Sequence, residues 1–203
     1  MLAVMQSLRV KGLAELDALV ASTALPAVEI SCTLERLRQE GLAQHREGRV
    51  SGWGLTLAGR ARAAELVAAD LPEESRARVD DCYRRFLPIN REVLAACTDW
   101  QVRDVDGTRV LNDHADPAYD REVLDRVFTL YGKAEPVLID LADAVDRFGT
   151  YRSRLANAVA RVQAGDYDWL VQPGIDSYHS IWFELHEDLL TTLGIERSKE
   201  EPS

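Results

Sequence analysis

The chain has 203 residues, enough for one large domain or two small ones, and either can bury a hydrophobic core. Its 46% hydrophobic and 29% charged residues are ordinary for a soluble globular protein, and no run of 18 or more apolar residues predicts a membrane span. The amino terminus lacks a signal-peptide pattern and the three cysteines form no CxxC pair, so we expect a cytoplasmic protein with no metal, no other cofactor and no membrane partner.

Net charge divides the chain into two parts. Basic and acidic residues are equal in number over residues 1–70, so the whole net charge of −10 lies in residues 71–203. Such asymmetry predicts two domains with different electrostatic roles. Because an acidic surface repels phosphate, contact with nucleic acid must come from residues 1–70. We expect residues 71–203 to serve dimerisation, ligand binding or both.

Residues 1–70 carry the pattern of a small helical domain with one hairpin. After a short opening segment, hydrophobic spacing and turn signals predict five elements: helices over 12–22, 27–41 and 57–70, and strands over 44–47 and 50–55. The apolar face of the second helix is formed by Val28, Ile30, Leu34 and Leu37. Gly41 is placed to end this helix and Thr56 to cap the last one. Helix, turn, helix, hairpin and helix is the order of a winged helix, so we predict three helices plus a β-hairpin wing.

The run TLERLRQEGLAQHREGRVSGWGLTLAGRARAAEL, residues 33–66, resembles the recognition-helix end, wing and following helix of MarR-like bacterial repressors. The matching residues are Leu37, Glu40, Gly41, Leu42, Leu55, Thr56, Gly59 and Arg60. In that family the second helix of the motif lies in the major groove and the wing reaches the DNA backbone or minor groove. The resemblance therefore implies double-stranded DNA as a partner. Its contacts would be Ser31, Thr33, Arg36 and Arg38 on the helix and His45, Arg46 and Arg49 on the wing.

One departure from that pattern keeps an alternative open. The start of the second helix reads AVEIS, with Glu29 and no basic residue, although a helix that enters a groove lies beside phosphates. The alternative is a non-enzymatic accessory protein that uses its winged helix for protein contacts or dimerisation.

Residues 71–203 are predicted to be helical, and the fold class is therefore mainly α: a winged helix followed by an all-helical module. The predicted helices cover 73–97 with a kink at Pro88, a segment from Asp116-Pro117 to Leu130, a separate segment opened by Pro136, 151–162, and a last helix capped by Asp176. An Asp-Gly turn between residues 101–105 and 108–111 is the one hairpin signal in this part.

The last predicted helix carries two histidines. A helical projection places His179 and His186 beside Trp182 on the apolar side. The opposite arc, expected to face solvent, contains Ser180, Glu184, Glu187, Asp188 and Thr191. Seven residues separate the histidines by roughly 10 Å along the helix axis, too far to share one metal ion.

Two interpretations of these histidines remain open: hydrogen-bonded core imidazoles, or contacts to a ligand. The same holds for His114 in NDHADPAYD, where turn and capping chemistry competes with a ligand site. The candidate ligand-binding residues are His114, His179, His186 and Trp182. A small acidic effector is expected near His179, because a helix amino terminus favours an anion.

The leading functional prediction is a cytoplasmic DNA-binding transcription regulator that acts as a homodimer with a helical effector module. An enzyme with its site at Asp113/His114 and His179/His186 is disfavoured, because no nucleophile and base stand at a recognisable spacing. The order of a winged helix and an acidic helical module is also similar to that of GntR-type regulators. NDHAD and DSYHSIWFELHEDLL are similar to segments of some actinobacterial pyruvate-phosphate-dikinase-like proteins, which implies a shared accessory module at most.

Overall fold

The computed structural model describes residues 1–48 and 50–196, and it is mainly helical. Its α-helices are α1 (Leu2–Lys11), α2 (Leu16–Thr23), α3 (Ala27–Gln39), α4 (Leu57–Asp70), α5 (Glu73–Gln101), α6 (Pro117–Ala144), α7 (Gly149–Gln163), α8 (Asp168–Val171) and α9 (Tyr178–Leu193). Its strands are β1 (Ala43–Arg46), β2 (Gly52–Leu55), β3 (Val102–Val105) and β4 (Thr108–Leu111), and a 3-10 helix covers Asp146–Phe148. No single helix among the described residues is long and apolar enough to cross a membrane; α2 and α3, bent by 113°, meet that criterion only as a pair.

The opening segment, to which the sequence analysis assigned no secondary structure, forms helix α1. Val4, Met5 and Leu8 of α1 are buried, but so are the polar side chains Gln6 and Ser7 between them. Polar residues at buried positions blur the apolar periodicity by which an amphipathic helix is recognised. Helix α1 packs against α2, α4 and β2 and also against α9, so both of its faces are covered.

Contacts between the loop after α3 and the start of α4 explain why Thr56 and Gly59 stand at the base of the first hairpin. The Thr56 hydroxyl accepts from the Gly59 amide (3.1 Å) and donates to the Gly41 carbonyl (2.8 Å), so the predicted cap of α4 is confirmed. The Thr56 amide donates to the Leu42 carbonyl at 3.0 Å. A side chain at Gly59 would meet that carbonyl oxygen at 1.9 Å. Only glycine fits there, and the loop after α3 is thereby held against the start of α4.

The first hairpin gains a third strand segment from the loop after α1. Strands β1 and β2 pair in antiparallel fashion, with Ala43 opposite Leu55. Ala14 then bridges the other edge of β2: the Ala14 amide donates to the Trp53 carbonyl at 2.9 Å and the Trp53 amide donates to the Ala14 carbonyl at 2.8 Å. Gly52 permits this approach, because a Cβ there would lie 2.9 Å from the Ala14 carbonyl carbon.

Buried apolar side chains form two clusters. One consists of residues from Val4 to Ala63, in α1–α4 and the first hairpin, and the other runs from Leu71 to Leu190, in α5–α9. We call residues 1–70 the N-terminal region and residues 71–196 the C-terminal region. The two regions touch where α1 and α4 contact α9 and where α2 contacts α7.

The C-terminal region corrects two of the predictions. Helix α6 runs without a break from Pro117 to Ala144, so the separate helix predicted from Pro136 is wrong. An internal proline removes one hydrogen bond, but Ala134, Val137 and Leu138 are buried around it and hold the helix together. The hairpin β3–β4 does form, with Asp106 and Gly107 both at positive φ as an Asp-Gly turn requires, so this region is not all-helical.

Candidate functional site

Helix α3 presents a polar surface of nearly balanced charge. Ser31, Arg36 and Arg38 are exposed, as their predicted role requires. Thr33, also predicted to contact DNA, is only 8% exposed and lies on the core side with Leu34, so burial removes it from the surface. Val28, predicted to lie on the apolar face, is 75% exposed.

Two of the charges on α3 neutralise each other. The Arg38 guanidinium donates from Nε and Nη2 to the two carboxylate oxygens of Glu35, at 2.9 and 2.7 Å. These hydrogen bonds, with another from Gln39, lower the pKa of Glu35 to about 2. Arg36 is in no ion pair among the residues that the structure describes, which leaves it as the uncompensated cation of this surface.

The structure describes two of the three predicted wing residues, His45 and Arg46, and both lie on strand β1. His45 is exposed, lies edge-on to Trp53 with ring centroids 5.4 Å apart, and has Nε2 3.9 Å from a Glu15 carboxylate oxygen. Arg46 is exposed, and its guanidinium donates to the Gln44 side-chain oxygen at 3.1 and 3.0 Å in the favourable orientation of that amide. Arg49 lies outside the described residues.

Four charged side chains meet where the two regions touch, and we call them the inter-region ion cluster: Lys11, Arg154, Asp176 and Glu184. The Lys11 ammonium lies 2.6 Å from Glu184 Oε1 and 3.2 Å from Asp176 Oδ1. Arg154 donates from Nε to Asp176 Oδ2 (2.8 Å) and from Nη2 to Asp176 Oδ1 (2.9 Å) and Glu184 Oε2 (2.7 Å). The Lys11, Arg154 and Glu184 side chains are each less than 10% exposed.

A second buried carboxylate continues this contact along α9. Asp188 is 2% exposed and accepts hydrogen bonds from Gln6 Nε2 of α1 (2.9 Å) and from the Tyr151 hydroxyl (3.0 Å). Arg147 lies beside it and also pairs with Asp70 at 2.7 Å, at the end of α4. Burial and the nearby carboxylates raise the pKa of Tyr151, so its hydroxyl remains a proton donor.

The predicted orientation of the α9 acids is therefore wrong. Glu184 and Asp188 were expected to face solvent, but they are 7% and 2% exposed. The helical projection separated the two faces of α9 correctly, yet it carried no information about α1, which covers the acidic face. Asp176 was expected to cap α9; the cap is Ser177, whose hydroxyl accepts from the Ser180 amide.

Asp176 is instead the outer member of the ion cluster. Burial by itself raises the pKa of the Asp176 carboxyl, but the hydrogen bonds and charge of Arg154 and the charge of Lys11 outweigh this and lower it. Burial likewise disfavours the charged form of Arg154, and the two carboxylates reverse that effect and raise its pKa. Each charge is thus stable in the interior only because the others are present.

His179 lies at the same contact between regions. It lines a cavity of about 730 Å³ whose walls also include Lys11, Arg154 and Phe183. His179 is half-buried, and burial lowers the pKa of its imidazole below the ordinary 6.5. A ligand in this cavity would touch both regions, with two cations and two carboxylates of the ion cluster on its walls.

The stability of the protein is expected to depend on pH through His179. Because its pKa is lower in the folded protein, the unfolded chain takes up a proton at a higher pH. The stabilisation from neutral His179 is present above pH 6.5 and is lost as the pH falls towards its folded pKa. Urea unfolding at a series of pH values measures this loss, and His179→Gln should be less sensitive to pH over that range. Equal pH dependence in both proteins would contradict the prediction.

His186 and Trp182 lie in the hydrophobic core. Trp182 is 1% exposed, stacks on Phe86 with ring centroids 4.9 Å apart, and donates from Nε1 to Asn90 Oδ1 at 2.9 Å. His186 is 6% exposed and packs against Tyr83 and Phe86 of α5, with ring centroids 6.5 and 5.4 Å away. Neither side chain lines the His179 cavity or the cleft described next, so these two predicted ligand contacts act as core residues in this structure.

His114 stands at the edge of a cleft of about 1070 Å³ in the C-terminal region. Its Nδ1 lies 3.0 Å from Asp120 Oδ2, and its ring packs on Trp100 with centroids 4.5 Å apart. Asn112 donates to the other Asp120 oxygen at 2.8 Å and to the Trp100 carbonyl at 3.1 Å. His114 has φ +56°, a backbone conformation that histidine adopts more readily than most residues. Asp116 caps α6 by accepting from the Ala118 and Tyr119 amides.

Sequence reasoning missed the basic half of the ion cluster. Glu184 and Asp188, four residues apart, mark one face of α9, but nothing in their spacing names Lys11 or Arg154 as partners. Both lie more than 20 residues away in sequence, and only the packing of α1 and α7 on α9 brings them together. Among the described residues, no group of three or more His, Cys, Asp or Glu side chains could hold a metal ion.

No protein-family model, no curated protein and no solved structure matches the chain.

Proposed function

We propose that the protein is a DNA-binding transcription regulator whose N-terminal region is a winged helix. The observation that carries this proposal is the order and packing of residues 1–70. Helices α2 and α3 are joined by a short turn, a hairpin follows α3, and Ala14 adds a strand segment to β2. Among the described residues, Ser31 and Arg36 of α3 and Arg46 of the hairpin are exposed, and the main contacts of the C-terminal region are with α1, α2 and α4.

In the proposed complex α3 enters the major groove and the hairpin acts as a wing on the DNA backbone. Ser31 can bond a base edge, Val28 can contact a thymine methyl group, and Arg36 can reach phosphate or guanine. Arg46 supplies a phosphate contact from the wing. A homodimer would place two such surfaces on two half-sites, as helix-turn-helix dimers do.

The inter-region ion cluster supports a regulatory role in this proposal. It ties α1 to α7 and α9 through buried charges, so the N-terminal region does not rotate freely on the C-terminal region. A small effector in the His179 cavity would contact residues of both regions. Its binding would change the position of α3 in one copy relative to the other, and so the fit of the dimer to its two half-sites. The predicted acidic character of that effector remains a prediction.

Arg36→Ala combined with Arg46→Ala is expected to weaken DNA binding. Each lost phosphate contact removes the counterion release that accompanies it, so the log–log slope of affinity against salt should fall by about one unit per contact. The measurement is fluorescence anisotropy at several salt concentrations, on a DNA fragment selected from genomic fragments by the wild-type protein.

Arg126→Ala combined with Arg152→Ala is the matched control, because it also removes two positive charges, from exposed positions on α6 and α7 in the C-terminal region. It should leave both affinity and slope unchanged. Unchanged affinity and slope in the α3 and wing double variant, with its fold intact, would exclude this surface. Failure of the wild-type protein to select any fragment would exclude the regulator.

A second candidate function is an accessory protein that uses the same surface for protein contacts. Three large apolar side chains of the N-terminal region favour it: Val28, Val50 and Leu57 are 75%, 69% and 86% exposed. The paired Glu35 and Arg38 also leave α3 with little positive charge. The genomic selection separates the two candidates, since an accessory protein selects no DNA.

A further inference from the structure

The cleft beside His114 combines aromatic walls with excess negative charge. Trp100, Phe128 and Tyr167 contribute rings, and aliphatic walls are added by Leu124, Val162, Val171, Pro117 and Pro173. The Trp100 and Tyr167 rings meet at 60° with centroids 5.4 Å apart. Trp100 is 5% exposed and its ring also packs on His114, whereas Tyr167 is 48% exposed, so Tyr167 supplies the accessible aromatic face. Such a face can stack on a flat apolar body and can also attract a cation.

The charges on the walls of the cleft are three carboxylates and one guanidinium. Asp120 is occupied by Asn112 and His114. Asp125 and Asp168 line the cleft and are in no ion pair among the residues described, and Arg121 is the one cation on these walls. The Asp168 carboxylate accepts from the Gln172 side-chain amide at 3.0 and 3.2 Å in the favourable orientation of that amide, and it keeps its negative charge. A ligand with a positive group therefore gains from the field of the cleft, and a ligand with a negative group is repelled by it.

Hydrogen bonding around His114 also presents an acceptor. The two hydrogens of the Asn112 amide are used on the Trp100 carbonyl and on Asp120 Oδ1. His114 Nδ1 lies 3.0 Å from Asp120 Oδ2 and 3.2 Å from Asn112 Nδ2. Because a carboxylate only accepts, we place the imidazole hydrogen on Nδ1, from which it is donated to Asp120 Oδ2. In the neutral imidazole this arrangement leaves Nε2 with a lone pair. His114 is 43% exposed at the edge of the cleft, so Nε2 is available to a donor on a ligand.

We propose that this cleft is a binding site for an aromatic ammonium cation, a flat ring carrying a protonated amine. The ring packs on the exposed face of Tyr167, beside Trp100. The ammonium group donates hydrogen bonds towards Asp125, Asp168 and His114. This inference concerns the C-terminal region alone and does not rest on DNA binding, because the ligand is measured with the full-length protein in the absence of DNA.

Isothermal titration calorimetry with three probes of the same shape tests the proposal. Tryptamine carries an ammonium group, tryptophol replaces it by a hydroxyl group, and indole-3-propionate carries a carboxylate. We expect tryptamine to bind one molecule per chain and to bind about tenfold or more tighter than tryptophol, as a charge-assisted hydrogen bond predicts. Indole-3-propionate should bind more weakly than either. Equal binding of the three probes, tighter binding of the carboxylate, or no heat from tryptamine up to about 10 mM would overturn the proposal.

Variants of the exposed wall residues locate the ligand. Asp168→Asn and Asp125→Asn should each weaken tryptamine binding by about tenfold, and Arg121→Gln should strengthen it because it removes the opposing cation. Tyr167→Ala should weaken it about fivefold, with Tyr167→Phe close to wild type, since only the ring is required.

Asp143→Asn is the control, because it removes an exposed carboxylate of α6 that does not line the cleft. Each variant is accepted only if its thermal unfolding midpoint matches that of the wild type. If Asp143→Asn weakened tryptamine binding as much as Asp125→Asn and Asp168→Asn do, the ligand would be attracted to the acidic surface in general. That result would overturn the proposed site.

Discussion

Arg154→Ala is expected to lower the free energy of unfolding by about 3–5 kcal/mol, as removal of one partner from a buried ion pair does. The variant leaves Asp176 without its bidentate partner and leaves Glu184 with Lys11 alone. Both carboxylates then remain in an interior where an uncompensated charge is costly. Urea unfolding followed by circular dichroism measures the change.

Arg152→Ala provides the comparison on the same helix. Arg152 is two residues away, pairs with Glu135 at 3.1 Å, and is half exposed, as its partner is. Such surface pairs contribute about 0–1 kcal/mol. Adding Glu184→Gln to Arg154→Ala should restore part of the lost stability, because it removes one of the unpaired carboxylates. If Arg154→Ala lowered the free energy of unfolding no more than Arg152→Ala does, the ion cluster would contribute no more than a surface ion pair, and the prediction would be contradicted.

Trp182→Ala is expected to cost about 3–5 kcal/mol, the range for truncating a large aromatic side chain in a core. Its ring is 1% exposed and lies between Phe86 and Tyr178, with centroid distances of 4.9 and 5.9 Å. Truncation opens a cavity in that stack and leaves the Asn90 side-chain oxygen without its indole donor.

Phe183→Ala is the internal control, because it removes an aromatic ring from the next residue, which is 41% exposed. A loss of about 1 kcal/mol or less is expected there, as for other partly exposed positions. If Phe183→Ala proved as costly as Trp182→Ala, the assignment of the buried face of α9 would be contradicted. Trp182→Phe should fall between the two, since it keeps most of the apolar volume and loses the hydrogen bond to Asn90.

The two expected results concern opposite faces of one helix. Trp182 faces the core of the C-terminal region, whereas Glu184 and Asp188 face α1 of the N-terminal region. Helix α9 therefore belongs to the apolar core on one side and to a buried polar contact on the other. In the proposed regulator, this second side is where a change in the C-terminal region would reach α1 and, through it, α3.

Local chemistry determined much of the secondary structure, and those predictions were confirmed. Thr56 caps α4 with its own side chain, a helix starts at Asp116-Pro117 as predicted, and the Asp106-Gly107 pair makes the turn between β3 and β4. Each of these effects is complete within a few residues, so the sequence contains everything that it needs. The apolar stripe of α9 could also be predicted from the sequence, because its apolar residues recur with the helical period of 3.6 residues.

Tertiary packing decided the rest, and it decided most of the candidate sites. Pro136 lies within α6 because buried neighbours hold the helix across the lost hydrogen bond. Asp176 pairs with Arg154 and leaves the cap to Ser177, and Glu184 is buried because α1 brings Lys11 to it. A carboxylate looks solvent-facing in a sequence, since its burial depends on a cation supplied from a distant element. The sequence by itself determined the turns and caps that are complete within a few residues, and the apolar stripe of a helix such as α9. It did not determine that α1 is a helix, that α6 continues through Pro136, or that Val28 of α3 is exposed. Which polar side chains meet, and are therefore buried, follows from contacts between residues far apart in the chain, and no local pattern contains those contacts.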